Sequence, residues 1–178
     1  MHIAVYCASS PAKNPAHTQA AQELGTWIGR NGHTLVYGGC KTGLMGVVAQ
    51  AALDAGASVV GVVPDIPTIQ KKVMEGLTEY VQVKNLAERK QVMIHRSDTF
   101  IALPGGLGTI DEIADILALI RLHQASSGCA FINTEGFYDP FATMLDNVME
   151  AGYMDQHDKD LILFTDNIKE LGNFLSTK

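Results

Sequence analysis

A three-layer α/β sandwich, with a mostly parallel sheet flanked by helices, is the fold this sequence predicts, and three observations predict it. Short strand-forming runs alternate with helix-period segments along the chain, the order that produces a parallel sheet covered on both faces. Two of the strands run directly into glycine-rich turns that open helices, Tyr37-Gly38-Gly39-Cys40-Lys41-Thr42-Gly43-Leu44-Met45-Gly46 and Leu103-Pro104-Gly105-Gly106-Leu107-Gly108-Thr109. The length, 178 residues with 47% hydrophobic and 18% charged side chains, suits one domain over residues 1–178 with a proper core.

Residues 2–8 read as a buried first strand that Ser9-Ser10-Pro11 ends. A helix pattern covers 15–30 and stops at Asn31-Gly32, a good C-terminal signal. Thr34 to Tyr37 forms the second strand and enters the first glycine turn. Beyond that turn Leu44, Val47, Val48, Ala51 and Ala55 share one helical face, and Gly56 ends the helix. Ser58 to Val63 is the third apolar strand. The stretch from Pro64 to Tyr80, with two prolines, two lysines and Gly76, reads as a long mobile connection, and long connections in compact domains are often functional. A short alternation over 80–83 precedes a helix over 85–96. Phe100 to Leu103 is the fourth main strand, followed by the second glycine turn and a helix with Ile113, Ile116, Leu117 and Ile120 as its stripe. Cys129 to Ile132 is the fifth strand, Pro140 to Glu150 a further helix, and Leu161 to Phe164 closes an edge before a last short helix.

A Rossmann-like strand order 3-2-1-4-5 puts the ends of strands one and four side by side, where ligands sit in open sheets of this kind. Ser9-Ser10, the Gly38–Gly46 turn and the Pro104–Thr109 turn then converge. Backbone N–H groups at such helix starts form a cradle for phosphate.

Composition narrows the ligand. Thirteen basic against nineteen acidic side chains leave a net charge of −6, which argues against nucleic acid as the partner. No apolar run approaches the ~20 residues of a membrane span, and Met1-His2-Ile3-Ala4-Val5 lacks the basic leader of a signal peptide, so the expected compartment is the cytoplasm. Cys7, Cys40 and Cys129 share no metal-like spacing and read as reduced, buried thiols. The six histidines show no paired ligand spacing, so no metal is expected.

Several nucleotide chemistries fail on spacing. A dinucleotide fingerprint belongs after the first strand with an acid ending the second; here those places hold Ala8-Ser9-Ser10-Pro11 and Gly38-Gly39. The phosphate loop GxxxxGK[ST] is absent, and nothing singles out a Schiff-base lysine for pyridoxal chemistry. In the helix before strand four, Arg89, Lys90 and Met93 share one face with Leu86. Two cations on that stripe call for a buried or cleft anion, or snorkel past the core edge to water. Thr109-Ile110-Asp111-Glu112 fits a capping box with Thr109 as N-cap and Glu112 reaching back. Asp111 and Asp115 fall on the solvated face, whereas Glu112 borders the apolar stripe at the glycine-loop end. If one carboxylate here does chemistry, it is Glu112.

Arg89-Lys90 followed by Ser97-Asp98-Thr99-Phe100-Ile101-Ala102-Leu103-Pro104-Gly105-Gly106-Leu107-Gly108-Thr109-Ile110-Asp111-Glu112 closely resembles the signature of the LONELY GUY (LOG) family. Val5 to Ser10, the Gly38–Gly46 turn and Gly136-Phe137-Tyr138 resemble the family as well, over about residues 2–153. The resemblance implies a cytokinin-activating phosphoribohydrolase of the kind long mislabelled as lysine decarboxylase. Such an enzyme cleaves the N-glycosidic bond of a nucleoside 5′-monophosphate to free base and ribose 5-phosphate, without metal or organic cofactor, as a homodimer with the site near the subunit interface. It implies Arg89 and Glu112 as the catalytic pair. Ser9, Gly39, Gly43, Lys90, Gly105, Gly106, Gly108 and Thr109 are then the expected substrate-binding residues. The chain departs from plant members at Leu86-Ala87-Glu88, at Asp111, at Ala118-Leu119 and at Gln124-Ala125-Ser126-Ser127, on the side expected to recognise the base. The rival from another class is a carrier of the same fold that holds a nucleotide without turnover.

Overall fold

A computed structural model describes residues 1–125 and 128–176. Seven strands pair in one sheet: β1 (His2–Tyr6), β2 (Thr34–Tyr37), β3 (Ser58–Pro64), β4 (Glu79–Val83), β5 (Thr99–Ala102), β6 (Cys129–Ile132) and β7 (Ile162–Thr165). Their order is β4-β3-β2-β1-β5-β6-β7, and every neighbouring pair is parallel. The expected order 3-2-1-4-5 is the middle of this sheet, with β4 and β7 added at its edges. The helices are α1 (Pro15–Arg30), α2 (Gly43–Asp54), α3 (Pro67–Gln70), α4 (Leu86–His95), α5 (Leu107–Arg121), α6 (Asp139–Glu150), α7 (Gln156–Asp160) and α8 (Ile168–Ser176).

Alternation along the strands divides the core in two, because successive side chains leave a strand on opposite faces. Ile3 and Val5 join Leu24, Ile28, Val48 and Leu171 beneath α1, α2 and α8. Ala4 and Tyr6 join Met93, Ile113, Ile116 and Leu145 beneath α4, α5 and α6. Helices α1 and α2 cross closely, since a Cβ on Gly25 would stand 2.3 Å from the Val48 carbonyl oxygen. The end of β1 therefore lies at the centre of a sheet fixed from both sides.

The stretch after β3 differs from the expectation of a mobile connection. It holds the short α3, and its following residues lie along the first glycine turn through an antiparallel bridge between Cys40 and Val73. Lys41 N–H donates to the Lys72 carbonyl at 2.8 Å, and Met74 N–H to the Gly39 carbonyl at 2.9 Å. The backbone polar groups that would leave such a segment free find partners in the turn instead. Part of the Gln124–Ser127 departure, Ser126 and Ser127, lies outside the described residues.

Candidate active site

Three turns meet at the carboxyl ends of β1, β2 and β5, and hydrogen bonds join them. Ala8 N–H donates to the Pro104 carbonyl at 3.2 Å, and Met45 N–H to the Ala8 carbonyl at 3.2 Å. The Thr42 hydroxyl donates to the Ser9 carbonyl at 2.8 Å. Gly43, at φ +63, packs so tightly on this junction that a Cβ would stand 2.4 Å from the Ser9 carbonyl carbon. A cavity of about 470 Å³ opens there, within the range of small-molecule sites.

Its floor carries an ion pair. Glu112, in the second turn of α5, points toward the sheet with Thr109 and Ile116 and is 4% exposed. Arg89 Nη2 donates to Glu112 Oε1. Arg89 comes from α4, whose start is fixed by the Asn85 side chain accepting from Glu88 N–H at 2.9 Å while the Glu88 carboxylate accepts from Lys84 N–H at 2.7 Å. Burial pushes the Glu112 carboxyl above its ordinary range, and the Arg89 charge and hydrogen bond pull it back only in part. Beneath them the Tyr6 hydroxyl is also held well up, first by burial and then by the Glu112 charge.

The capping box expected at Thr109 is not formed. Helix α5 begins at Leu107 with Gly106 as its N-cap, so Thr109 already lies inside the first turn. The reason is the Gly105-Gly106 turn, which redirects the chain as soon as β5 ends. Thr109 folds over Gly105 instead: a Cβ there would meet the Thr109 Oγ1 at 2.1 Å. Glu112 is thereby free of capping and bound to Arg89.

Ser9, Lys90, Gly106, Gly108 and Thr109 line the cavity together with Arg89 and Glu112. A Cβ on Gly106 or Gly108 would meet nothing within 4 Å, so both face open space at the start of a helix. The other expected glycines serve the wall from behind. Gly39, at φ +76, packs on Val63, Gly43 packs on the Ser9 turn and Gly105 packs on Thr109, and none of the three is among the lining residues. Lys90 is a lining residue with its ammonium already engaged, 3.0 Å from Asp111 and 2.8 Å from Asp115. The bond to Asp115, then that to Asp111, holds it firmly protonated. Asp111 is exposed as expected, Asp115 is half-buried against Lys90, and together they tie α4 to α5.

Sequence reasoning missed much of the opposite wall: Met45 on α2, and Thr68, Ile69 and Lys72 from the connection after β3. Only the length of that connection signalled a role. Among the family departures, Leu86 and Asp111 line the cavity, whereas Ala118 and Leu119 are not among its lining residues.

A family model described as "Possible lysine decarboxylase" matches residues 45–174. The chain is 35% identical to the cytokinin riboside 5′-monophosphate phosphoribohydrolase LOG of Oryza sativa subsp. japonica, over 95% of this chain and 70% of that protein. The chain belongs to the LOG family. A bacterial LOG relative, the cytokinin riboside 5′-monophosphate phosphoribohydrolase of Rhodococcoides fascians, is 37% identical over 85% of this chain and 77% of its own length. The fold reaches beyond the LOG family: a molybdenum cofactor binding protein of Rippkaea orientalis superposes with a TM-score of 0.73 at 20% identity, over 99% of this chain and 95% of that one. At that identity the likeness concerns architecture alone.

Proposed function

We propose that this LOG-family chain hydrolyses the N-glycosidic bond of a purine or cytokinin nucleoside 5′-monophosphate, releasing the free base and ribose 5-phosphate. The observation that carries the reading is the Arg89–Glu112 pair, its carboxylate buried, in the lining of a cavity that also holds the open helix start at Gly106 and Gly108. The N–H groups of that helix start, with the positive end of the α5 dipole, take the 5′-phosphate. Thr109 and Ser9 complete this end.

Cleavage passes through an oxocarbenium-like state at the anomeric carbon. The Glu112 carboxylate stabilises the positive charge, orients a water and accepts its proton as the oxygen bonds to that carbon. The glycosidic electron pair leaves with the base, and the proton that Glu112 took from water passes to the base nitrogen, which regenerates the carboxylate. Arg89 holds Glu112 in place and offers a planar donor fork to phosphate or sugar hydroxyl groups. The raised affinity of Glu112 for protons strengthens it as a base toward water. This reading uses neither metal nor organic cofactor.

A homodimer is part of the proposal, and a cytoplasmic location fits it. Leu107, between the two open glycines, is 85% exposed, and Ile110 one turn later and Leu86 at the cavity are exposed too. A second copy covering this rim would shield the site. The test is incubation of the pure protein with AMP, isopentenyladenosine monophosphate, GMP, CMP and adenosine, with chromatography of released base. The expected outcome is base release from a purine monophosphate and far less from adenosine, since each amide donor left unpaired costs about 1–3 kcal/mol. Nucleotides recovered unchanged would return the chain to the carrier reading, and equal efficiency on adenosine and AMP would remove the phosphate cradle.

A further inference from the structure

Gly38 and Gly39 stand side by side in the first glycine turn for different reasons. Gly39 has φ +76, which favours glycine, and a Cβ there would overlap the Val63 side chain at 2.3 Å. Gly38 lies outside the left-handed region, so its backbone would accept any residue. What it lacks room for is a side chain. A Cβ on Gly38 would stand 3.2 Å from Arg89 Nη1, 3.2 Å from Met45 Cε and 3.4 Å from Met45 Sδ. Both Gly38 and Arg89 line the cavity.

Of these two neighbours, Met45 has room to adapt, being unbranched and pliable. Arg89 does not. One end of its guanidinium is bonded to Glu112, and its Nε is buried without a hydrogen-bond partner among the described residues. The guanidinium fills a slot with the bare Cα of Gly38 on one side and the Glu112 carboxylate on the other. A methyl group at residue 38 would press on it at 3.2 Å, so that it must give by a few tenths of an ångström against the carboxylate it neutralises.

We propose that Gly38 is a positioning residue for this site: the absent side chain is what seats Arg89 against Glu112. The kinetic consequence rests on the hydrolase reading; the effect on Glu112 does not. The charged and titratable groups around Glu112 are Arg89, Lys90, Asp111, Tyr6 and Cys7, and Arg89 is the strongest of those favouring its ionised form.

The experiment is Gly38→Ala, read by NMR titration of the Glu112 carboxyl in the free protein and by steady-state base release from AMP. Glu112 should titrate at higher pH than in the parent protein, because its cation has moved away. The turnover number should fall by roughly 10-fold while KM changes less, since the contact demands a shift of a few tenths of an ångström and a full misplacement of about 1 Å at a reacting group can cost on the order of 100-fold. Two second-site variants separate the causes. Gly38→Ala added to Arg89→Ala should shift Glu112 no further, whereas Met45→Ala added to Gly38→Ala should not restore the parent titration. An unchanged Glu112 titration in folded Gly38→Ala, or its restoration by Met45→Ala, overturns the proposal. If Gly38→Ala fails to fold, recovery of folding by Arg89→Ala supports the slot and recovery by Met45→Ala overturns it. A protein that releases no base from any nucleotide defeats the hydrolase reading alone, because the titration still decides the role of Gly38.

Discussion

Glu112 is a carboxylate that the fold would rather hold neutral. Burial raises its proton affinity, and Arg89 offsets that only in part. The consequence for stability follows from linkage. A group whose folded pKa lies above its unfolded value, about 4.3 for glutamate, favours the folded state at pH below that value. The advantage disappears as pH rises through the folded pKa. Glu112→Gln resembles the protonated form and keeps an acceptor for Arg89, so its melting temperature at pH 8 should match or exceed that of the parent, with the difference vanishing in acid. Turnover should nevertheless fall by at least ~100-fold, the usual scale for a positioned acid or base. Thermal unfolding at both pH values, together with base release at saturating AMP, checks the two halves. A fully active Glu112→Gln protein would reduce Glu112 to a structural acceptor.

At the scale of elements, the start of α5 joins the two halves of the site, and its glycines divide by role. Gly105 has Thr109 folded over it, while Gly106 faces open space. Gly106→Val should therefore leave folding intact, because its φ of −98 suits a side chain, and should abolish AMP binding by filling the cradle. Calorimetry with AMP and a melting curve decide it; unchanged affinity would move the phosphate elsewhere. Much of this arrangement was legible in the sequence. The alternation of strands and helices implied a parallel sheet, a Rossmann-like order then matched its centre, and the two glycine turns marked its carboxyl edge. Glu112 could be told from Asp111 by helical phase alone. Other features depend on long-range placement that local spacing does not encode. Thr-x-x-Glu has the spacing of a capping box, yet the Gly105-Gly106 turn starts the helix earlier and removes the cap. Lys90 shares the stripe of Arg89 in sequence, but two aspartates from α5 claim it. The connection after β3 became a wall because the first glycine turn offers its backbone groups as partners.

For the whole molecule, the unresolved physical demand is the apolar rim. No helix among the described residues is long and apolar enough to cross a membrane, so lipid burial by a spanning helix does not account for these side chains. Leu107 is 85% exposed, Leu86 48% and Ile110 42%, all three on or beside the helix starts that build the site. Fully burying a leucine is worth about 1.5–3 kcal/mol, so a contact that covers these side chains has a substantial driving force, and a second copy of the chain can bring the same surface to it. Symmetric pairing of one patch with itself is the commonest way soluble chains associate. If the proposed dimer buries this surface, Leu107→Asp should lower the mass measured by light scattering from dimer to monomer, because it puts a charge into an apolar contact. The protomer should still fold, since Leu107 gives up almost no burial within it. If the partner's surface completes the cavity, base release per chain should fall in Leu107→Asp, and in the parent protein it should fall on dilution below the dimer's dissociation constant. A parent protein that is monomeric at micromolar concentration and fully active would remove the dimer from the proposal while leaving the Arg89–Glu112 chemistry untouched.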